Sequence, residues 1–182
     1  QRTPCYSIPA QNRPLSQEEQ AEFKADYRAH RAQALTTPTG MRNPRSPNAA
    51  GDFSPEEQRE ILERGWQIGG PGPFMGAFND VMLNRASNEV LCEFIRDKIR
   101  ATVQDPATAE LLCPTTYPVG TRRICIDIDY FETYNRDDVS LVDVRSAPIV
   151  ELTETGLRTT EAEHDLDVLV FATGFDAMTG AL

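Results

Sequence analysis

Asp167–Gly174 reads DVLVFATG: one charged residue, five apolar or small ones without a polar break, then a Thr-Gly turn. A continuous apolar run of this length, rich in β-branched and aromatic side chains, predicts a strand buried on both faces of a parallel sheet. In open α/β sheets ligands dock outside the C-terminal ends of such strands. Thr173 and Gly174 therefore stand at a candidate binding edge.

Upstream of that run the pattern is also β. Arg123–Asp129 alternates (R-I-C-I-D-I-D), and Val139–Val144 and Ile149–Thr153 read as short strands. Glu154-Thr155-Gly156 supplies a hairpin turn. At the other end, residues 1–15 carry Pro4, Pro9 and Pro14 and no helical period, which suits an extended segment leaving a strand.

Between these ends lie helix signals in series. Ser16 with Glu19 makes a capping box, and Phe23 and Tyr27 lie four apart, so the reading is one helix over 17–35. Residues 36–53 are a Pro/Gly/Asn loop. Ser54-Pro55-Glu56-Glu57 repeats the start signal for a helix through Ile61, Leu62 and Trp66. Phe74, Phe78, Val81 and Met82 form a third apolar stripe. Ser87 is read as the cap of a helix whose Val90, Leu91, Phe94, Ile95, Ile99 and Val103 recur at three- and four-residue steps. Asp105-Pro106 opens a last helix to about Leu112. The expected division is an extended segment (1–15), a helical insertion (16–112) and a β-rich remainder (113–182). The fold class is α/β overall, or α+β for this stretch taken alone. The chain starts with Gln-Arg-Thr-Pro and stops beside an apolar run, and on that ground it reads as a piece of a longer protein.

Composition narrows the function classes. The 182 residues carry 28 acidic and 18 basic side chains, a net charge of −10. Nucleic-acid grooves and polybasic membrane surfaces need a cationic footprint, so neither partner is expected. No apolar run approaches the roughly 20 residues that span a bilayer. Cys5, Cys92, Cys113 and Cys125 are far apart, without a CxxC pair, which favours reduced thiols and a cytoplasmic setting.

Most single motifs read as structure. Gly70-Pro71-Gly72-Pro73-Phe74-Met75-Gly76 has the look of a phosphate loop, but a helix precedes it and two prolines remove amide donors, so a loop between helices is expected. His30 and His164 sit in polar stretches without a second ligand at metal spacing and read as solvent-exposed. Asp127 and Asp129 share a strand face as a solvated edge. No metal site is expected. Arg122-Arg123, entering a strand after the Pro118–Thr121 turn, and Arg2-Thr3, leaving another, have the chemistry to grip phosphate, but spacing alone leaves them as surface residues.

A joint pattern changes their weight. Leu-Cys-Pro at 112–114, Tyr-Pro-x-Gly-Thr-Arg-Arg at 117–123, Asp-Tyr-Phe-Glu-Thr-Tyr-Asn-Arg-Asp at 129–137, Leu-Val-Asp at 141–143 and Ala-Thr-Gly-Phe-Asp-Ala-x-Thr-Gly-Ala-Leu at 172–182 recur together. So do Gln-Arg-Thr-Pro at 1–4, Pro-Ala-x-Asn at 9–12, Asn88-Glu89 and Phe-Ile-Arg-x-Lys-Ile-Arg at 94–100. The set resembles type I Baeyer–Villiger flavin monooxygenases, of the phenylacetone and cyclohexanone monooxygenase branch, over essentially the whole chain.

The resemblance implies a partial NADPH-binding dinucleotide domain, with an inserted helical unit, from a flavoprotein that holds FAD and NADPH in two dinucleotide-binding domains. It implies that NADPH reduces the flavin, that O2 forms a C4a-peroxyflavin, and that this attacks a ketone carbonyl to give an ester or lactone. It implies that Arg123 is the active-site arginine and that Arg122, Arg2 and Thr3 grip the NADPH 2′-phosphate, with Thr173 and Gly174 at the cofactor edge. The parent would be the enzyme, and the 182 residues alone are expected to be inert.

The chain departs from the family at several points. Lysine is frequent where Arg122 stands, tyrosine where Phe131 stands and asparagine where Asp138 stands. No GxGxxG follows a strand, and the Phe-x-Gly-x-x-x-His-x-x-x-Trp-Pro signature is absent. Two rival readings are a flavin monooxygenase acting on nitrogen or another heteroatom, and a helical interaction module without redox chemistry.

Overall fold

A computed structural model of the protein describes residues 3–37, 40 and 45–172. Thr3–Ser140 forms one compact unit, and the described residues from Leu141 to Ala172 belong to a second.

The first unit is built on a parallel strand pair. β1 (Ser7–Pro9) lies in register with β2 (Cys125–Asp127), Ser7 against Cys125, Ile8 against Ile126 and Pro9 against Asp127. The Cys125 N–H donates to the Tyr6 carbonyl at 3.0 Å and the Ala10 N–H to the Asp127 carbonyl at 2.8 Å, extending the ladder at both ends. Parallel strands need a long crossover, and here the crossover is the whole helical stretch.

Six α-helices are described in it, with a 3-10 turn at Ala50–Asp52. α1 (Gln17–Ala25) starts at Ser16 with the capping box formed in both directions, and α2 (Tyr27–Leu35) follows. The single helix expected over 17–35 is thus broken at Asp26, whose φ is −106° and ψ 18°. Neither half buries a residue, so no packed face holds the axis straight across a poor helix former. Phe23 packs locally, 6.1 Å from the Tyr27 ring and 4.7 Å from the His30 ring. His30, expected in solvent, keeps only 19% of its side chain exposed.

α3 (Pro55–Ile68) has the Ser54–Glu57 capping box with Pro55 in the first turn. α4 (Pro71–Met75) replaces the loop expected at 70–76. Pro71 presets the first helical turn, and burial of Phe74 holds it closed. α5 (Arg85–Thr102) begins one turn earlier than expected: Asn84 is its cap, accepting the Ala86 N–H at 3.0 Å. Ser87, read from sequence as the cap, is instead buried and donates its hydroxyl to Asp80 Oδ2 at 2.6 Å. α6 (Pro106–Leu112) is capped by Asp105.

Leu62, Phe74, Phe78, Leu91, Ile95, Ile99 and Leu112 make the fully buried core, with Ile8 of β1 and Val119 joining it. Burial of each such side chain contributes about 1.5–3 kcal/mol. Trp66, Phe74 and Phe94 pack ring to ring at 5.7–6.1 Å.

The second unit holds an antiparallel meander of β3 (Ile149–Leu152), β4 (Gly156–Thr159) and β5 (Glu163–Asp165). The expected hairpin turn is present, with the Thr153 N–H donating to the Gly156 carbonyl at 3.0 Å. Gly156 is fixed by close approach: any Cβ there would collide with the His164 carbonyl oxygen.

Two expected strands are not formed. At 139–144 the chain runs as loop into a turn organised by Asp143, which accepts the Arg145 N–H at 3.0 Å and the Ser146 hydroxyl at 3.1 Å. These local bonds compete with strand pairing. Residues 167–172 carry no strand either, and Val168, Val170 and Phe171 are 75%, 78% and 70% exposed. A strand covered on both faces needs neighbours to pair with, and no strand among the described residues pairs with this one.

Candidate functional site

The stretch Tyr117–Arg123 connects α6 to β2, and each residue in it is held for a physical reason. Tyr117 is half-buried, and its hydroxyl donates to the Pro4 carbonyl at 3.0 Å. Its own carbonyl accepts the Tyr6 hydroxyl at 3.1 Å, and the two rings meet edge to face at 5.3 Å. Burial pushes the Tyr117 phenol up to about 12.

Val119 is buried and gripped by Asn88 of α5. The Asn88 carboxamide accepts the Val119 N–H at 3.1 Å and donates to the Val119 carbonyl at 2.9 Å, and to the Val81 carbonyl at 3.0 Å. Gly120 follows with φ +89°, the left-handed conformation a tight turn needs at that place. The Thr121 hydroxyl closes the turn on the Pro118 carbonyl at 2.8 Å. Arg122 and Arg123 then enter the strand that begins at Cys125.

The turn stands beside a cleft of about 390 Å³ lined by Tyr6, Arg85, Glu89, Arg96, Thr115 and Pro118, among others. Arg96 is 7% exposed and is the hub of the wall. It pairs with Glu89, and with Glu93 at 2.6 Å, and donates to the Pro114 carbonyl at 3.2 Å. Burial opposes its charge, but the two carboxylates outweigh that and its pKa is raised. Arg100 is held by Glu93 and Glu110, each at 2.7 Å. The positive charge of these two side chains is therefore already answered.

Arg122 and Arg123 differ. Both are exposed, and neither has a carboxylate partner among the described residues. The Arg122 guanidinium lies 4.5 Å from the centroid of the Tyr117 ring. Exposed guanidinium groups without an anion are available to a ligand that brings one. Thr3 is half-buried and directly precedes Pro4, whose carbonyl Tyr117 holds. The structure thus links the Thr3 segment to Arg122 through Tyr117. Arg2, Thr173 and Gly174 lie outside the described residues.

Sequence reading did not single out Tyr117 or Asn88 as functional. The signal for Tyr117 was its place five residues before Arg122, which carries meaning only once the turn is known. His164 is partly buried in β5 and not in open solvent. Asp127 ends β2, and its carboxylate accepts the Tyr130 N–H at 2.8 Å, with burial raising its pKa. Among the described residues no three His, Cys, Asp or Glu side chains gather as metal ligands, and no helix is long and apolar enough to cross a membrane.

No family model matches the chain. It is 41% identical over 182 residues to 2-oxo-Delta(3)-4,5,5-trimethylcyclopentenylacetyl-CoA monooxygenase of Pseudomonas putida, covering 100% of this chain and 33% of that protein. It is 38% identical over 182 residues to a Baeyer-Villiger monooxygenase of Pseudooceanicola batsensis, covering 99% of this chain and 33% of that one. The crystal structure of OTEMO in complex with FAD and NADP superimposes with a TM-score of 0.90 at 40% identity, over 97% of this chain and 33% of the other. The chain spans about a third of the length of the curated relatives it matches. By sequence and by structure, then, this chain is similar along essentially its whole length to about a third of the length of a Baeyer-Villiger monooxygenase and of other proteins named as monooxygenases or solved with FAD and NADP.

Proposed function

We propose that the chain is the NADPH-side portion of an FAD-containing, NADPH-dependent Baeyer–Villiger monooxygenase that inserts one oxygen of O2 beside a ketone carbonyl to give an ester or lactone. The observation that carries the reading is the pair Arg122-Arg123, adjacent, exposed and without carboxylate partners among the described residues, whereas Arg96 and Arg100 are neutralised. Relatives named as monooxygenases of this kind, and a neighbour solved with FAD and NADP, support it. Residues 1–15 then belong to the NADPH domain, 16–112 are its helical insertion, and 113–182 complete it toward the FAD domain.

In this reading Arg122, with Arg2 and Thr3, binds the NADPH 2′-phosphate, and Thr173 and Gly174 border the cofactor. An arginine cluster selects the phosphorylated dinucleotide because its charges are left unanswered when the phosphate is missing. Arg123 stays protonated at any working pH and presents a fixed positive charge to the oxygen on which negative charge develops. Bound NADPH supplies the hydride. The residues of this chain do not fit the FAD dinucleotide, because no glycine-rich loop follows a strand in the sequence. All four cysteines are free thiols, in keeping with a cytoplasmic setting.

The test uses the full-length flavoprotein that carries this chain, assayed on cyclic ketones beside a thioether and an amine. Ester formation coupled to NADPH loss is expected, and Arg123→Ala is expected to lower its rate by roughly 10²–10³. Oxidation of the thioether or amine without ester from any ketone would overturn the reading in favour of a heteroatom-oxidising enzyme. The 182 residues alone should neither turn yellow with FAD nor consume NADPH.

A further inference from the structure

Arg122 is an exposed side chain on a long flexible stem, and such a side chain loses rotamer freedom when it closes on a ligand. Here part of that ordering is done in advance. The guanidinium lies 4.5 Å from the Tyr117 ring centroid, within the range where the ring's negative face attracts a cation. The ring is itself immobilised: Tyr6 packs against it edge to face, and the Tyr117 hydroxyl is committed to the Pro4 carbonyl at 3.0 Å. Tyr6 is anchored in turn: its one hydroxyl proton is shared between the Tyr117 and Pro114 carbonyls, at 3.1 and 3.2 Å, and its oxygen accepts from the Arg96 guanidinium at 3.5 Å. A continuous set of contacts therefore runs from α5 through Tyr6 and Tyr117 to Arg122. The same tyrosine fastens the backbone beside Thr3, which is 114 positions away in sequence.

We propose that Tyr117 is the positioning residue of the 2′-phosphate site: its ring carries Arg122 and its hydroxyl fastens the Thr3–Pro4 segment beside it. This rests on the assignment of Arg122 to the NADPH phosphate. Tyr117 touches no reacting atom; it acts by holding the two phosphate-gripping segments together before the dinucleotide arrives. Its effect is confined to ligands that carry the 2′-phosphate, so it sets preference between dinucleotides and leaves the chemical step alone.

The experiment compares the KM values for NADPH and NADH in the full-length flavoprotein. Tyr117→Leu should raise KM for NADPH by about 5- to 10-fold, while KM for NADH, kcat and the flavin spectrum stay as in the wild type. Tyr117→Phe keeps the ring and should return the NADPH preference to within about threefold of the wild type. Replacement of Tyr117 by pentafluorophenylalanine, which keeps the ring shape but drains its negative face, should behave like the leucine variant and serves where that variant does not fold. In an Arg122→Ala background Tyr117→Leu should cost clearly less than in the wild type, the remainder being the lost hold of its hydroxyl on the Thr3–Pro4 segment. The proposal is overturned if the leucine and pentafluorophenylalanine variants leave the preference within twofold of the wild type, or if KM rises equally for both dinucleotides. If Arg122→Ala alone leaves the NADPH preference intact, the phosphate assignment itself fails, and the role of Tyr117 with it.

Discussion

Asn88 and Val119 pair as two strand residues would: the carboxamide accepts the Val119 N–H at 3.1 Å and donates to its carbonyl at 2.9 Å. A side chain on α5 thereby does the work of a neighbouring backbone for the turn that delivers Arg122 and Arg123. The pairing is buried on both sides, so water cannot stand in for either partner.

Asn88→Ala removes both bonds and the one to Val81, leaving buried backbone groups unsatisfied. The expected cost is about 2–4 kcal/mol of stability in urea unfolding. Asn88→Asp keeps the acceptor, loses the donors and buries a charge, and should be no better.

Arg96→Met keeps most of the stem and removes the guanidinium that ties Glu93 to the Pro114 carbonyl. A loss of about 2–4 kcal/mol is expected. Arg96→Lys should recover only part of it, because a single ammonium cannot reproduce the fork. Thermal melts of the three proteins side by side give the order.

Gly156→Ala places a methyl group against the His164 carbonyl oxygen. Strain of this kind costs about 2–4 kcal/mol, and hydrogen exchange should lose protection throughout β3, β4 and β5.

Asp80 accepts the Ser87 hydroxyl at 2.6 Å, the Ala50 N–H at 3.1 Å and the Asn84 amide at 3.0 Å, and the Ser87 bond is the main cause holding its pKa below the ordinary value. A depressed folded-state pKa contributes stability that is complete above the unfolded carboxylate range, roughly pH 4, and is lost as pH falls through the folded value. The wild type should therefore lose Tm between pH 6 and pH 3. In Ser87→Ala the Tm should be lower at pH 6 and the gap between the two pH values narrower.

What the sequence disclosed was mainly local. The capping boxes at Ser16 and Ser54 depend on residues three apart and formed as read, as did the hairpin turn before Gly156. Features that depend on distant partners were not legible. Apolar content at 167–172 signals a strand only where other strands flank it, and Val139–Val144 yielded to the turn around Asp143. The break at Asp26 followed from an unburied helix face, which periodicity cannot reveal. At the site, Arg122 and Arg123 drew attention through family resemblance alone. Tyr117 was not legible, since a ring under a guanidinium five residues on is a property of the turn between them.

The short ladder joining Ser7–Pro9 to Cys125–Asp127 closes a loop of more than a hundred residues. Closure entropy grows only logarithmically, by about 0.6 kcal/mol for each doubling of length, so the intervening helices can gain or lose turns at little thermodynamic penalty. The rate is another matter, because contacts so remote in sequence slow the search for the native topology. Drift in the helical stretch is thus expected to alter how quickly the chain assembles far more than where the strand after Arg123 ends up.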